Sequence, residues 1–354
     1  MPKSICFYCL ILFASIKVIG QSGEPEIKFG KINQWEIDLK AYENDPSASA
    51  VVLFDKGENI FDPKRFVYKR HTRIKIFRKD GYRFSDQIFH IRKTQAVKNF
   101  KAVTYNYEGG KIVESILNED GRYEEDFNDY FDIVRFVLPN VREGSIVEFS
   151  YEIDGSGLYD WQFQREIPVI WSEYILRVIK QVEFHKLFTG YLTPHIYEEE
   201  MGPCGQNMCR TIRTVMTDVP ALTPEPFMSS SENYASKLSV QIASIKTWRD
   251  FDILSDWDAL AFRYHEKQFF ADNVKNSNFL RSISQALVSG KTHPDQKVLA
   301  IYNYVKGHME WNNRYSKYCY DNLKEAHQRG TGTSGEINLM LLSMLRYAGL
   351  PADP

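Results

Sequence analysis

The sequence lacks several features that would narrow its function at once. No apolar run reaches the roughly 20 residues that a membrane-spanning helix requires. The longest, Ile5 to Ile16, opens the chain. No charge of one sign dominates: 44 Lys and Arg face 46 Asp and Glu, a formal net charge of -2. No global field therefore attracts a polyanion, and no basic stripe with interleaved aromatics offers a nucleic-acid surface. There is no fixed-period repeat and no low-complexity tract, which excludes solenoids and disordered arrays. No second Cys or His pair lies near Cys204 and Cys209 at metal-ligand spacing, so neither a metal nor another cofactor is expected.

What is present is a chain that can build cores. Apolar residues make up 43% of the 354 residues and aromatics 14%, enough for two or three domains. The opening run, preceded by Lys3 and followed by small or polar residues to Gly20-Gln21, reads as a secretory signal peptide over residues 1–20. The mature protein is then expected to begin near Gln21, in the periplasm or outside the cell, with no membrane span. Cys6 and Cys9 leave with the signal, so three cysteines remain. In an oxidising compartment Cys204 and Cys209, around the turn Gly205-Gln206-Asn207, are expected to pair. Two free thiols are the alternative, because spacing alone does not determine connectivity. Cys319 between two tyrosines reads as a packed thiol.

From residue 50 to 245 the apolar pattern has period two. In Phe66 to Arg78, Phe66, Tyr68, Thr72, Ile74 and Ile76 share one face, and Lys69, His71, Arg73 and Lys75 the other, as in a strand with one face in water. Gly109-Gly110 between Ala102–Tyr107 and Lys111–Ile116 marks a hairpin. Val147 to Ile153, Leu176 to Phe184, Thr211 to Val215 and Lys237 to Ile242 continue the alternation, and many short strands suggest a β-sandwich. The spacing then becomes helical. It predicts helices around Trp257–Tyr264 and Phe279–Leu287. A third is capped by Thr292 with Pro294 in its first turn and a stripe of Val298, Leu299, Tyr302, Val305 and Met309. The last, Glu336 to Ala348, is apolar nearly all round and ends at Gly349 before Pro351.

The turn Gly332-Thr333-Ser334-Gly335-Glu336 and the tail Met344-Leu345-Arg346-Tyr347-Ala348-Gly349-Leu350-Pro351-Ala352 resemble the transglutaminase-like, papain-related core. Upstream, Val67 to Gly81, Phe136 to Tyr151 and Trp161 to Tyr174 resemble the bacterial DUF3857 domain, a β-rich envelope module that commonly precedes that core. The resemblance implies an α+β chain: a lead-in over 21–49, a DUF3857-like β-sandwich over 50–245, and the first part of a transglutaminase-like, cysteine-protease-type fold over 246–354. In that family a cysteine opens the central helix, where the helix dipole favours its thiolate. Here Ser334 occupies the position. The family's His and Asp follow the central helix, so their positions lie beyond Pro354, and His308 and His327 precede the helix. No catalytic residue is therefore carried over.

Thr333 or Ser334 with Glu336 also makes an ordinary N-cap. Glu198-Glu199-Glu200 reads as a solvated loop without metal-site spacing. Trp161, Phe163 and Trp171 suit either a sandwich core or a glycan platform. The expected role is thus non-catalytic recognition or scaffolding in the cell envelope, with a peptide, protein or glycan as partner. One alternative is an acyl-transfer enzyme or peptidase completed by residues past 354. The other is a carbohydrate-binding β-sandwich.

Overall fold

The computed structural model describes residues 24–62, 65–127, 131–155, 157–228, 230–246, 251–252, 257–258, 261, 270, 272–319 and 322–353. The signal peptide expected over residues 1–20 lies outside them, as do Leu260 and Tyr264 of the helix expected around Trp257. None of the helices among the described residues is long and apolar enough to cross a membrane.

The expected order, β-structure first and helices after, is what the chain adopts. A short helix, α1 (Gln34–Asp38), precedes β1 (Ala50–Asp62), β2 (Arg65–Ile76), β3 (Gln87–Arg92) and β4 (Ala96–Glu108). Then follow β5 (Lys111–Ile116), β6 (Arg122–Asp126), β7 (Phe131–Phe136), β8 (Ile146–Asp154) and β9 (Trp161–Gln162). The β region closes with β10 (Val169–Ile179), β11 (Val182–Thr189), β12 (Ile196–Cys204), β13 (Asn207–Val219), β14 (Lys237–Ile245) and β15 (Phe251–Asp252).

Eight strands form one sheet in the order β12-β13-β10-β1-β2-β8-β4-β5. Every pair is antiparallel except β1 with β10. Two smaller sheets, β3-β7-β6 and β11-β14-β15 with β9 on β14, share one apolar core with it. This is the sandwich. Phe89 from the first small sheet meets Tyr151 at 4.6 Å, and Phe136 stacks on Phe100 at 3.6 Å. Trp161 beside the second stacks on Tyr174 at 5.5 Å and donates to Ser172 Oγ. A Cβ at Gly57 would come within 2.3 Å of the Trp161 ring, so this strand position has to be glycine for the layers to close. Trp161, Phe163 and Trp171 are all buried, which makes them core and not an exposed glycan platform.

The other face of the large sheet departs from the expectation. Arg73 and Lys75 are buried, not solvated. The segment before β1 covers them: Ile37 and Tyr42 pack on Val51, Leu53, Val103, Tyr105 and Ile146. Arg73 donates to Glu36 at 2.8 Å and to Glu148 at 2.7 Å. Glu148 also accepts from Gly30 N–H at 2.9 Å and Tyr105 O–H at 3.0 Å, and lies 2.8 Å from His71 Nε2. Burial raises the Glu148 pKa, but His71, Arg73 and the Gly30 amide outweigh it and hold the carboxyl below its usual range. Lys75 donates to the carbonyls of Ile37 and Gly144, and burial pushes its pKa down to about 8. Alternation along a strand reports which side chains share a face. It does not report what lies over that face.

Other local expectations hold or shift by a residue. Gly109 and Gly110, at φ +54° and +81°, turn β4 into β5. Cys204 and Cys209 sit near the turn of the β12–β13 hairpin, joined by a disulfide with a Cα–Cα distance of 5.7 Å. Glu198, Glu199 and Glu200 belong to strand β12, not to a loop: Glu199 pairs with Lys186 at 2.6 Å and Glu198 with Arg213 at 3.6 Å.

The helical part holds α2 (Asn273–Lys275), α3 (Phe279–Val288), α4 (Pro294–His308), α5 (Leu323–Arg329) and α6 (Ser334–Tyr347), with the short parallel pair β16 (Glu310–Trp311) and β17 (Thr331–Gly332). His293, not Thr292, caps α4, its ring accepting from Asp295 N–H, and Pro294 is the first helical residue. Only Val305 and Met309 of the expected α4 stripe are buried, joined by Ile301, while Val298, Leu299 and Tyr302 face out. Helices α2 to α5 all touch α6. They bury Leu339, Met340, Leu342 and Met344 and leave Ile337, Leu341 and Leu345 half-buried.

Removing one member of a buried charge network strands the others, at a cost of about 3–5 kcal/mol. Arg73→Met leaves Glu36 and Glu148 without their shared cation. Its urea midpoint is expected to fall accordingly, and an unchanged midpoint would show that the network contributes no stability.

Candidate functional site

Helix α6 starts where several local rules coincide. Gly330, at φ +69°, ends α5 in the left-handed conformation. The next two residues pair with β16, and Asn312 N–H donates to Gly332 O at 3.0 Å. Thr333 is the N-cap: its Oγ1 accepts from Glu336 N–H at 3.3 Å, and Glu336 Oε2 accepts from Thr333 N–H at 2.7 Å. That reciprocal box satisfies two of the helix's open donors. Of the two capping candidates in the sequence, Thr333 fills the role and Ser334 becomes the first helical residue.

Ser334 is held by the loop after β16. Its N–H donates to Arg314 O at 3.1 Å, its hydroxyl donates to Ser316 O at 2.9 Å, and Ser316 N–H donates back to Ser334 Oγ at 2.9 Å. Gly335 lies so close to this loop that a Cβ would fall 2.7 Å from Ser316 O and 2.8 Å from Tyr318 O. Backbone therefore packs on backbone at the helix start, which only glycine permits.

A cleft of about 650 Å³ opens beside this point. It is lined by Arg314, Ser316, Lys317, Thr333 and Glu336 from the helical part, by His90 of β3 and Phe131 of β7, and by Phe127 just after β6. The Arg314 guanidinium lies 3.4 Å over the Phe127 ring. His90 and the two phenylalanines come from far upstream, and nothing in their sequence surroundings marked them. Glu336 is buried and committed to the capping box, with Arg329 at 3.7 Å.

The structure does not bring His308 or His327 to Ser334 Oγ, whose bonds both run to Ser316. The two imidazoles stack on each other at 4.1 Å. His308 Nε2 lies 2.8 Å from His327 O, and Tyr304 O–H lies 2.8 Å from His327 Nε2. Burial and then the neighbouring His308 push the His327 pKa down. Cys319 is buried among the helices. Among the described residues no group of three or more His, Cys, Asp or Glu could hold a metal ion.

Loss of the Thr333 cap is expected to cost about 1 kcal/mol. Ser334→Ala should also destabilise, by about 1 kcal/mol, because it removes the hydroxyl that joins the helix to Ser316. Thermal unfolding of both variants tests this, and no shift for Ser334→Ala would mean that the loop is held by backbone alone.

Comparison with known proteins follows the same division. Residues 62–221 match the model for DUF3857, a domain of unknown function with a solved structure, and residues 281–353 match that for the transglutaminase-like superfamily core. No curated protein matches the chain. Among solved structures, one described as "a putative protease from Parabacteroides distasonis ATCC 8503" shares the fold, with a TM-score of 0.63 at 14% identity. The alignment covers 86% of this chain and 59% of that one. A second, described as "a putative nutrient binding protein" from Legionella pneumophila, aligns over 85% of this chain and 94% of its own, at 8% identity and a TM-score of only 0.23. The chain thus carries a DUF3857 domain followed by a transglutaminase-like core segment, in the order that the sequence resemblance implied.

Proposed function

We propose that this chain is an exported envelope protein whose transglutaminase-like segment binds a peptide without transferring or cleaving it. The observation that carries this reading is the Ser334 hydroxyl, which donates to Ser316 O and accepts from Ser316 N–H. A serine is a weak nucleophile until a positioned base accepts its proton. Here the acceptor is a backbone carbonyl, which cannot take it up. The helix dipole that favours a thiolate does not ionise an alcohol at neutral pH. Ser334 in this reading holds the cleft wall in place. The cleft beside it offers aromatic rings and loop backbone to an extended polypeptide. The name of the Parabacteroides structure favours a peptidase as the second reading.

Turnover separates the two. The full-length reading frame, assayed for amine incorporation into casein and for casein cleavage, is expected to stay at background, and Ser334→Ala to leave it there. Turnover that Ser334→Ala abolishes would establish the peptidase or acyl-transfer reading instead. Export has its own test. N-terminal sequencing of the envelope-fraction protein is expected to begin near Gln21, and a cytosolic form retaining Met1 to Gly20 would refute export.

A further inference from the structure

The outer face of the eight-stranded sheet is covered only in part, and the uncovered part is organised. The segment before β1 lies over the cross-strand row Phe54–Arg73–Glu148–Val103. Two residues further along each strand, on the same face, the next row reads Lys56–His71–Ser150–Lys101. These four residues line an open groove of about 410 Å³. We propose that this groove is a binding site for a phosphate group, held by the side chains of Lys56, His71, Ser150 and Lys101.

The argument rests on donors and their supports. Cross-strand partners lie about 5 Å apart, so the two short side chains, His71 and Ser150, form the centre of the floor. The two lysines stand at its ends on long flexible stems that let their ammonium groups close over it. His71 is not a free surface imidazole. Its Nε2 is committed to Glu148, itself fully buried and held by Arg73, Tyr105 and Gly30. A carboxylate accepts there, so Nε2 carries the hydrogen and Nδ1 is the ring nitrogen left for a ligand. Nδ1 accepts from a protonated phosphate oxygen.

Charge is in surplus. Lys101 is exposed and makes no ion pair among the described residues, whereas Lys56 leans on Glu173 at 3.3 Å, a carboxylate already held by Arg213 at 2.9 Å. The acidic residues of the groove belong to the row beyond, each with its own cation: Glu58 pairs with Arg177 at 3.1 Å and Glu152 with Lys69 at 3.6 Å. Four groups arriving from separate strands, three of them donors and His71 Nδ1 an acceptor, suit a tetrahedral phosphate better than a planar carboxylate, which offers only two oxygens. Phosphate as a free ion and phosphate on a lipid headgroup share the anionic oxygens that the two ammonium groups and the Ser150 hydroxyl meet, and only the free ion also carries the P–OH that His71 Nδ1 accepts.

Titration of the protein with inorganic phosphate against chloride at fixed ionic strength tests the site. A parallel titration uses phosphatidylglycerol vesicles against phosphatidylcholine vesicles. Saturable binding is expected in at least one arm, and the arm that binds identifies the source. Lys101→Ala and Ser150→Ala should each weaken it by about tenfold, the loss of one hydrogen bond to a charged ligand. Both positions lie outside the buried network, so unchanged unfolding midpoints separate lost binding from lost structure. Lys324→Ala, on an exposed position of α5, should change nothing. No saturable binding in either arm, or binding equally strong in Lys101→Ala and Ser150→Ala, would overturn the proposal.

Discussion

The arrangement of the β region depends on one buried guanidinium. Arg73 enters from the middle of the large sheet and meets Glu148 of the neighbouring strand and Glu36 of the segment before β1. The desolvation of three charged groups is unfavourable by itself, and a buried ion network is poor evidence of net stability. Its effect is on specificity. With Arg73 in place, the lead-in has one position in which Glu36 is paired, Gly30 N–H reaches Glu148 and Ile37 O reaches Lys75. The sheet thereby acquires a cover on the face that its own sandwich layers leave open.

That cover has an edge, and the edge creates the other feature of the β region. Moving along β1, β2, β8 and β4 past the last covered row, the same alternation continues into the polar row Lys56–His71–Ser150–Lys101, where Phe29 of the lead-in reaches only the His71 ring. Glu148 belongs to both sides of this border. It terminates the buried network below and orients His71 in the groove above. A single carboxylate thus couples the packing of the N-terminal segment to the geometry of the open surface.

The helical part is organised by a different constraint, close backbone approach. Gly335 permits the loop 314–318 to lie on the start of α6, and Ser334 closes that contact with a reciprocal pair of hydrogen bonds. Helices α2 to α5 then supply most of the cover for α6. Leu339, Met340, Leu342 and Met344 are buried, as a helix apolar nearly all round requires, and Leu341 and Leu345 are half-buried. The capping box defines where the helix begins, and the Ser316 contact determines what stands beside its first residue.

Much of this was legible along the chain. Strand positions follow from period-two alternation, the β4–β5 hairpin from Gly109-Gly110, and the end of α6 from Gly349 before Pro351, because each depends on backbone preferences within a few residues. The order of the two domains was legible from long contiguous resemblance. Tertiary structure alone decided the rest. The charged face of β2 is buried because a segment from before β1 folds over it, and no local pattern encodes that return. Likewise the cleft beside Ser334 takes His90, Phe127 and Phe131 from the β region far upstream, and Ser334 is occupied by a loop residue that precedes it by eighteen residues. Periodicity specifies which side chains share a face; only the packing of distant segments specifies which of those faces meets water, another charge or another backbone.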